Sequence, residues 1–153
     1  MALRPVLQFP DPRLKRVSKP IAKITDEIRA LAGDMLEVMY DEPGIGLAAP
    51  QVGEPVRLFV MDTTWTEEGS DRSPIVVVNP EIVEREGTIT WNEGCLSVPD
   101  FQAEVERAAR VRLRGLDLDG HPSRRRPASC ARSASSTRST TWTASSSSTA
   151  SVA

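Results

Sequence analysis

The sequence is short of the side chains that most often bind metals or cross-link chains: one histidine, His121, and two cysteines, Cys95 and Cys130, among 153 residues. Two cysteines in unrelated contexts cannot build a disulfide framework, which points to a reducing compartment and, by default, the cytoplasm. Long apolar runs are missing too. No stretch approaches the ~20 apolar residues of a membrane span, and the start, Met-Ala-Leu-Arg-Pro-Val-Leu-Gln-Phe-Pro, has neither the apolar region nor the small-residue cleavage site of a leader, so no targeting segment is expected. Basic residues are scarce in the first part of the chain. Residues 1–120 hold 14 Lys and Arg against 21 Asp and Glu, a net charge of about −7, whereas residues 121–153 hold five Arg and no acid. That balance argues against a nucleic-acid-binding face on the folded part, where a basic patch would be expected.

What is present fits one domain, long enough to bury roughly two thirds of the unfolded chain's surface. Pro5, Pro10, Pro12 and Pro20 keep the first twenty residues from forming one helix, and Leu3, Val6, Leu7 and Phe9 suggest an extended segment laid against the domain. From the N-cap candidate Thr25, with Asp26 and Glu27 in the first turn, apolar residues recur at Ile28, Leu31, Met35, Leu36 and Met39, which predicts a helix ending before Pro43 and Gly44. Strand patterns follow over residues 56–61, 75–78, 82–91, 103–107 and 111–116. One helix ahead of closely spaced strands reads as α+β with antiparallel or mixed sheets. After Gly120 the character changes. Residues 123–153 include 11 Ser and no Ile, Leu, Met, Phe or Tyr, so residues 1–120 are expected to form the domain and residues 121–153 an aberrant, disordered tail.

Two segments could carry chemistry. In Gly44-Ile45-Gly46-Leu47-Ala48-Ala49-Pro50-Gln51-Val52-Gly53, small residues leave the backbone bare for a ligand to approach, and Gln51 offers an amide donor to a polarised carbonyl. Taken alone, this run reads more simply as a glycine-rich helix-to-strand turn. In Trp91-Asn92-Glu93-Gly94-Cys95-Leu96-Ser97-Val98-Pro99, a lone cysteine follows a glycine at a strand end, where a thiolate could bind a metal or act as a nucleophile, or a buried thiol could be inert.

Together, Gly-Ile-Gly-Leu-Ala-Ala-Pro-Gln and the later Glu-Gly-Cys-Leu-Ser resemble the first two signature motifs of peptide deformylases. The resemblance takes in Asp11-Pro12-Arg13-Leu14 and the helical pattern and runs to about Gly120. It implies an enzyme that removes the formyl group from the N-terminal formylmethionine of nascent polypeptides, close to the ribosome. It also implies Fe2+ or another divalent metal, such as Zn2+, Ni2+ or Co2+. Carried over, it makes Cys95 a metal ligand, Gln51 and the backbone N–H of Leu96 stabilisers of the oxyanion, and Gly44, Ile45 and Gly46 part of the substrate cleft. A metal held by three protein ligands keeps a position for water and lowers its pKa, while fixed donors receive the developing charge.

The family's third motif, His-Glu-x-x-His on a helix, is missing from this sequence. The one histidine, His121, precedes Pro122 in what reads as a turn. The tail offers an explanation. If residues 136–143, Ser-Thr-Arg-Ser-Thr-Thr-Trp-Thr, are encoded AGC ACG AGA TCG ACC ACC TGG ACG, reading from the third base gives His-Glu-Ile-Asp-His-Leu-Asp, with the hidden histidines near Thr137 and Thr141. The same offset lets residues 143–151 decode as Gly-Val-Leu-Phe-Ile-Asp-Arg-Leu. An excess of Arg over Lys, 16 against 3, fits such GC-rich codons. A reading frame that slips near His121 is therefore expected. The chain as written keeps Cys95 as its one expected metal ligand and is expected to be inactive, either as a non-catalytic binder of formylated or methionyl N-termini or as a non-functional product.

Overall fold

The computed structural model describes residues 4–62, 64 and 72–125. The expected helix is α1, Asp26–Asp41. Thr25 occupies the N-cap in extended conformation without a side-chain capping bond, so it is Asp26 and Glu27 that favour this end, against the helix dipole. Leu31, Ala32, Met35, Val38 and Met39 form the buried stripe, and each large side chain among them contributes roughly 1.5–3 kcal/mol on leaving water. The helix closes where Glu42 N–H donates to Val38 O and Gly44 N–H donates to Met39 O at 2.8 Å, across a proline that has no N–H to give.

Among the described residues seven strands follow: β1 (Gly46–Ala48), β2 (Leu58–Met61), β3 (Ile75–Glu86), β4 (Ile89–Cys95), β5 (Val98–Arg107), β6 (Arg110–Leu116) and β7 (Pro122–Arg125). Five of them make one antiparallel sheet in the order β1-β2-β3-β6-β7, while β4 and β5 form a separate hairpin. The architecture is α+β, as expected. The helix packs on the first strands of the large sheet, so that Met35, Val38 and Met39 share a core with Leu47, Leu58, Val60 and Val78, joined by Ile21, Ala49 and Val52.

The strand pattern over residues 82–91 needs correction, because it divides between two sheets. Gly87, at φ +65°, breaks it: residues before the glycine pair with β6, and residues after it pair with β5. Conversely, the patterns at 75–78 and 82–86 belong to one strand. They are joined through Asn79 and Pro80 at a register irregularity, a place where a strand tolerates a residue that cannot donate. Asn79 is held there at φ +51° by its own amide, which accepts from Ile21 N–H and donates to Ile21 O, both at 2.8 Å. The proline-rich N-terminal segment is extended against the domain, with Leu7 and Leu14 buried and a short turn of 3-10 helix at Pro12–Lys15. Register between β3 and β6 is reinforced on the exposed face, where Glu81, Glu84 and Glu86 stand opposite and pair with Arg114, Arg112 and Arg110. Strand β7 carries the ladder past residue 120, to Arg125; residues 126–153, and with them Thr137 and Thr141, lie outside the described residues.

Candidate functional site

The glycine-rich segment leaves the end of α1 and enters the sheet at once. Ile45 O accepts from Asp62 N–H at 3.0 Å, and Gly46 lies opposite Met61 on β2. A Cβ placed on Gly46 would meet Val60 O at 3.6 Å and Met61 Cβ at 3.9 Å, ordinary contacts at an ordinary φ, so the fold itself does not demand glycine there. After Ala48 the chain turns through a 3-10 helix, Ala49–Val52, closed by Gly53 at φ +88°, where left-handed backbone does favour glycine. Gln51 rides on this turn and is buried. Its Oε1 accepts from Ala48 N–H at 2.9 Å.

The cysteine segment arrives from the other sheet. β4 ends at Cys95, Leu96 and Ser97 make the turn, and Val98 opens β5, with an irregularity in register between Gly94 and Cys95. Cys95 is a partly buried free thiol, and Leu96 packs on the core. Ser97 is 1% exposed, and its Oγ accepts from Gln51 Nε2 at 3.2 Å. Two backbone bonds reinforce this junction: Leu7 N–H donates to Gln51 O and Phe9 N–H to Ser97 O, each at 2.7 Å. The N-terminal segment is thus a strap across both motifs. The structure brings Gln51 beside the Cys95–Ser97 turn and sets Gly44, Ile45 and Gly46 just ahead of Gln51 in the same segment.

Beside the start of the glycine-rich segment, at Ile45, lies a buried carboxylate. Asp62, fully enclosed, follows β2 and holds the base of the segment leading to β3. It accepts from Tyr40 Oη at 2.7 Å, from Thr64 N–H and Oγ1 at 2.9 and 2.8 Å, and from Ser73 N–H at 2.8 Å. Burial pushes its carboxyl up, but the hydrogen bonds from Tyr40 and Thr64 outweigh burial and hold it below the usual carboxylate range. Tyr40 is pushed up to about 12 by its own burial and by donating to that carboxylate. The Arg72 guanidinium stacks over the same ring at 4.1 Å. A shallow pocket lined by Leu36, Glu37, Tyr40, Asp41 and Arg72 lies alongside.

Among the described residues, the donor set does not fit the divalent metal that the resemblance implies. Among the described residues, the one group of three potential ligands close enough to share an ion is Asp117, Asp119 and His121, and it excludes Cys95. That group lies in the exposed turn between β6 and β7, where Asp117 already accepts the N–H groups of Asp119 and His121. A single thiolate cannot hold a catalytic divalent ion against competition. His121 belongs to a turn, as its sequence context suggests.

Sequence reasoning passed over the roles of five residues. Ser97 stands inside the quoted cysteine motif but was not singled out, although a serine next to an expected oxyanion donor is the kind of short polar residue that binds a neighbouring amide. Leu7 and Phe9 act through backbone N–H groups, which leave no trace in side-chain identity. The Asp62–Tyr40 pair joins a helix to a strand end and has no local pattern.

An α+β domain in which a glycine-rich turn and a Gly-Cys-Leu-Ser hairpin are clipped together defines the class, and the comparisons with known proteins agree with it. The model of the polypeptide deformylase family matches residues 3–128. A peptide deformylase of Alkalilimnicola ehrlichii is 56% identical over 122 residues, covering 80% of this chain and 67% of that protein. The crystal structure of a peptide deformylase from Legionella pneumophila superposes with a TM-score of 0.74 at 42% identity, over 80% of this chain and 70% of that one. A Met-Ala-Ser-bound class I type b peptide deformylase from Acinetobacter baumannii superposes with a TM-score of 0.73 at 31% identity, over 81% of this chain and 82% of that one. The chain belongs to the polypeptide deformylase family. No helix among the described residues is long and apolar enough to cross a membrane.

Proposed function

We propose that this chain descends from a cytoplasmic, metal-dependent peptide deformylase acting on formylmethionyl N-termini of nascent chains, and that as written it does not hydrolyse them. The observation that carries this reading is the imbalance of the site. Gln51 and the Cys95–Ser97 turn stand together, whereas no second or third ligand joins Cys95 among the described residues. Without an ion to polarise water, the donors Gln51 Nε2 and Leu96 N–H have no attacking hydroxide to assist. The slip of frame expected near His121 accounts for both the missing histidines and the composition of residues 121–153, an aberrant tail whose first residues still pair, as β7, with a domain of residues 1–120.

A second reading concerns what is left. Gly46 is glycine where the fold does not require it, which favours close approach of a ligand backbone over the Gly44–Gly46 segment. A relative of the same fold is known bound to Met-Ala-Ser. On this reading the chain binds formylated or methionyl N-termini without turnover.

Sequencing the gene across the codons for residues 116–143 tests the frame: a single base gained or lost is expected, restoring His-Glu-Ile-Asp-His. In parallel, the purified chain supplied with Fe2+ should release formate from formyl-Met-Ala-Ser no faster than buffer, while the restored-frame chain should release it catalytically. Turnover by the chain as written would refute the reading.

A further inference from the structure

We infer that Ser97 is a positioning residue for the Gln51 carboxamide, fixing which way its remaining N–H points; the inference deepens the reading of Gln51 as the donor to a bound formyl or peptide carbonyl. A glutamine amide has one acceptor oxygen and two N–H donors, and its two ends are nearly the same shape. Unrestrained, it rotates about its last torsion and presents either end.

Here both degrees of freedom are removed. Ala48 N–H is a donor 2.9 Å from Oε1, so a flip would set NH2 against N–H, two donors facing one another. That contact selects the orientation. Ser97 Oγ, 3.2 Å from Nε2, takes one of the two amide hydrogens and fixes the plane of the group. Ser97 is itself held in place: it is 1% exposed, it sits in the two-residue turn of the β4–β5 hairpin, and its carbonyl is clipped by Phe9 N–H at 2.7 Å. Gln51 is held in the same way by Leu7 N–H on its carbonyl, also at 2.7 Å. The strap at Leu7–Phe9 therefore sets the spacing of the two backbones, and the serine–glutamine bond sets the angle of the amide between them. With Oε1 and one N–H committed, one N–H remains, in a fixed direction, and a donor aimed in advance loses no rotational freedom when it meets a carbonyl oxygen. Because Ser97 directly follows Leu96, the serine also ties the two expected oxyanion donors, Gln51 Nε2 and Leu96 N–H, into one rigid unit. The chain has three glutamines, Gln8, Gln51 and Gln102, so the amide of interest can be identified spectroscopically.

The test uses the full 15N-labelled chain. The Gln51 side-chain resonances, assigned by their disappearance in Gln51→Met, should be displaced from exposed-glutamine values and protected from exchange in the native chain. Ser97→Ala should return them toward exposed values and weaken binding of formyl-Met-Ala-Ser about tenfold, the effect of one lost hydrogen bond. Ser97→Thr, which keeps the hydroxyl, should restore both. Loss of packing alone would lower the melting temperature without moving those resonances. Exposed-glutamine values in the native chain, which need no variant, or resonances unmoved in Ser97→Ala, would overturn the inference. A held amide in a chain that fails to bind the peptide supports the role of Ser97 and refutes the binding reading instead.

Discussion

Replacing Asp62 by Asn tests whether the buried carboxylate ties the end of α1 to the segment between β2 and β3. The two side chains have nearly the same shape, so the substitution isolates chemistry from packing. In the native chain Oδ1 accepts from Thr64 N–H and Oγ1, and Oδ2 accepts from Tyr40 Oη and Ser73 N–H. An asparagine must turn its NH2 toward one of these pairs. The hydroxyls of Tyr40 and Thr64 can rotate to accept, but neither backbone N–H can, so one buried N–H always faces another donor. A hydrogen bond to a charged group contributes about 1.5–3 kcal/mol, and a stranded buried donor costs about 1–3 kcal/mol more; since the site can relax a little, the expected loss is about 3 kcal/mol. Urea unfolding followed by tryptophan fluorescence measures it, and a loss below about 1 kcal/mol would refute the reasoning, being no more than an average neutral hydrogen bond. The pH dependence supplies a second check. Because hydrogen bonding holds the Asp62 carboxyl below its ordinary value despite burial, the folded chain binds this proton more weakly than the unfolded chain does. Its stabilising effect is therefore complete above the unfolded value of about 3.9 and disappears as pH falls through the lower folded value. The stability difference between wild type and Asp62→Asn should be constant above about pH 5 and shrink below about pH 4; a difference that persists undiminished in acid would count against the assignment.

Tyr40 is the one tyrosine in the sequence, so ultraviolet titration reads it alone: it should ionise near pH 12 in the folded chain. The fold favours the neutral phenol, so this stabilisation is full below the unfolded value of about 10 and lost as pH rises through about 12; ionisation near 10 in chain still folded by circular dichroism would refute the pairing with Asp62. Gly115→Ala should destabilise by about 1–3 kcal/mol in urea, because the added Cβ would collide with Val77 and lie 2.9 Å from Val78 O; an unchanged midpoint would mean that β3 and β6 are looser than described. Arg112→Ala, which breaks one exposed cross-strand pair with Glu84, should cost no more than about 0.5 kcal/mol in the same assay. Incubation with excess Zn2+ followed by gel filtration and elemental analysis should leave well under one equivalent on the chain, and one tightly held equivalent would contradict the ligand count.

The helix was legible because its apolar residues repeat at helical spacing and because Pro43 and Gly44 punctuate its end. The sheet was legible as strands but not as a partition. Residues 82–91 show one continuous β pattern, and what divides them is the left-handed turn at Gly87, which sends one half to β6 and the other to β5. Pairing partners are set by tertiary contact, so alternation along one strand cannot name them. Thr25 illustrates a smaller gap: the residue type suits an N-cap, yet its side chain makes no capping bond, and the acids after it supply the favourable charge. At the site, Gln51 and Cys95 were visible as types in two segments, but their junction depends on Ser97 and on two backbone N–H groups of the N-terminal strap.

On the proposed reading, the position of those contacts along the chain separates binding from hydrolysis. Among the described residues, the bonds that clip the two motifs together, from Leu7 and Phe9 to Gln51 and Ser97, lie within the first hundred residues. The core beneath them, from Ile21 to Val78, does so as well. On the proposed reading, the two missing metal ligands belong near Thr137 and Thr141, beyond the slip. A change of frame near His121 would then remove the group that activates water while sparing the contacts that aim Gln51. Loss of hydrolysis need not entail loss of recognition, because the two depend on separate stretches of sequence.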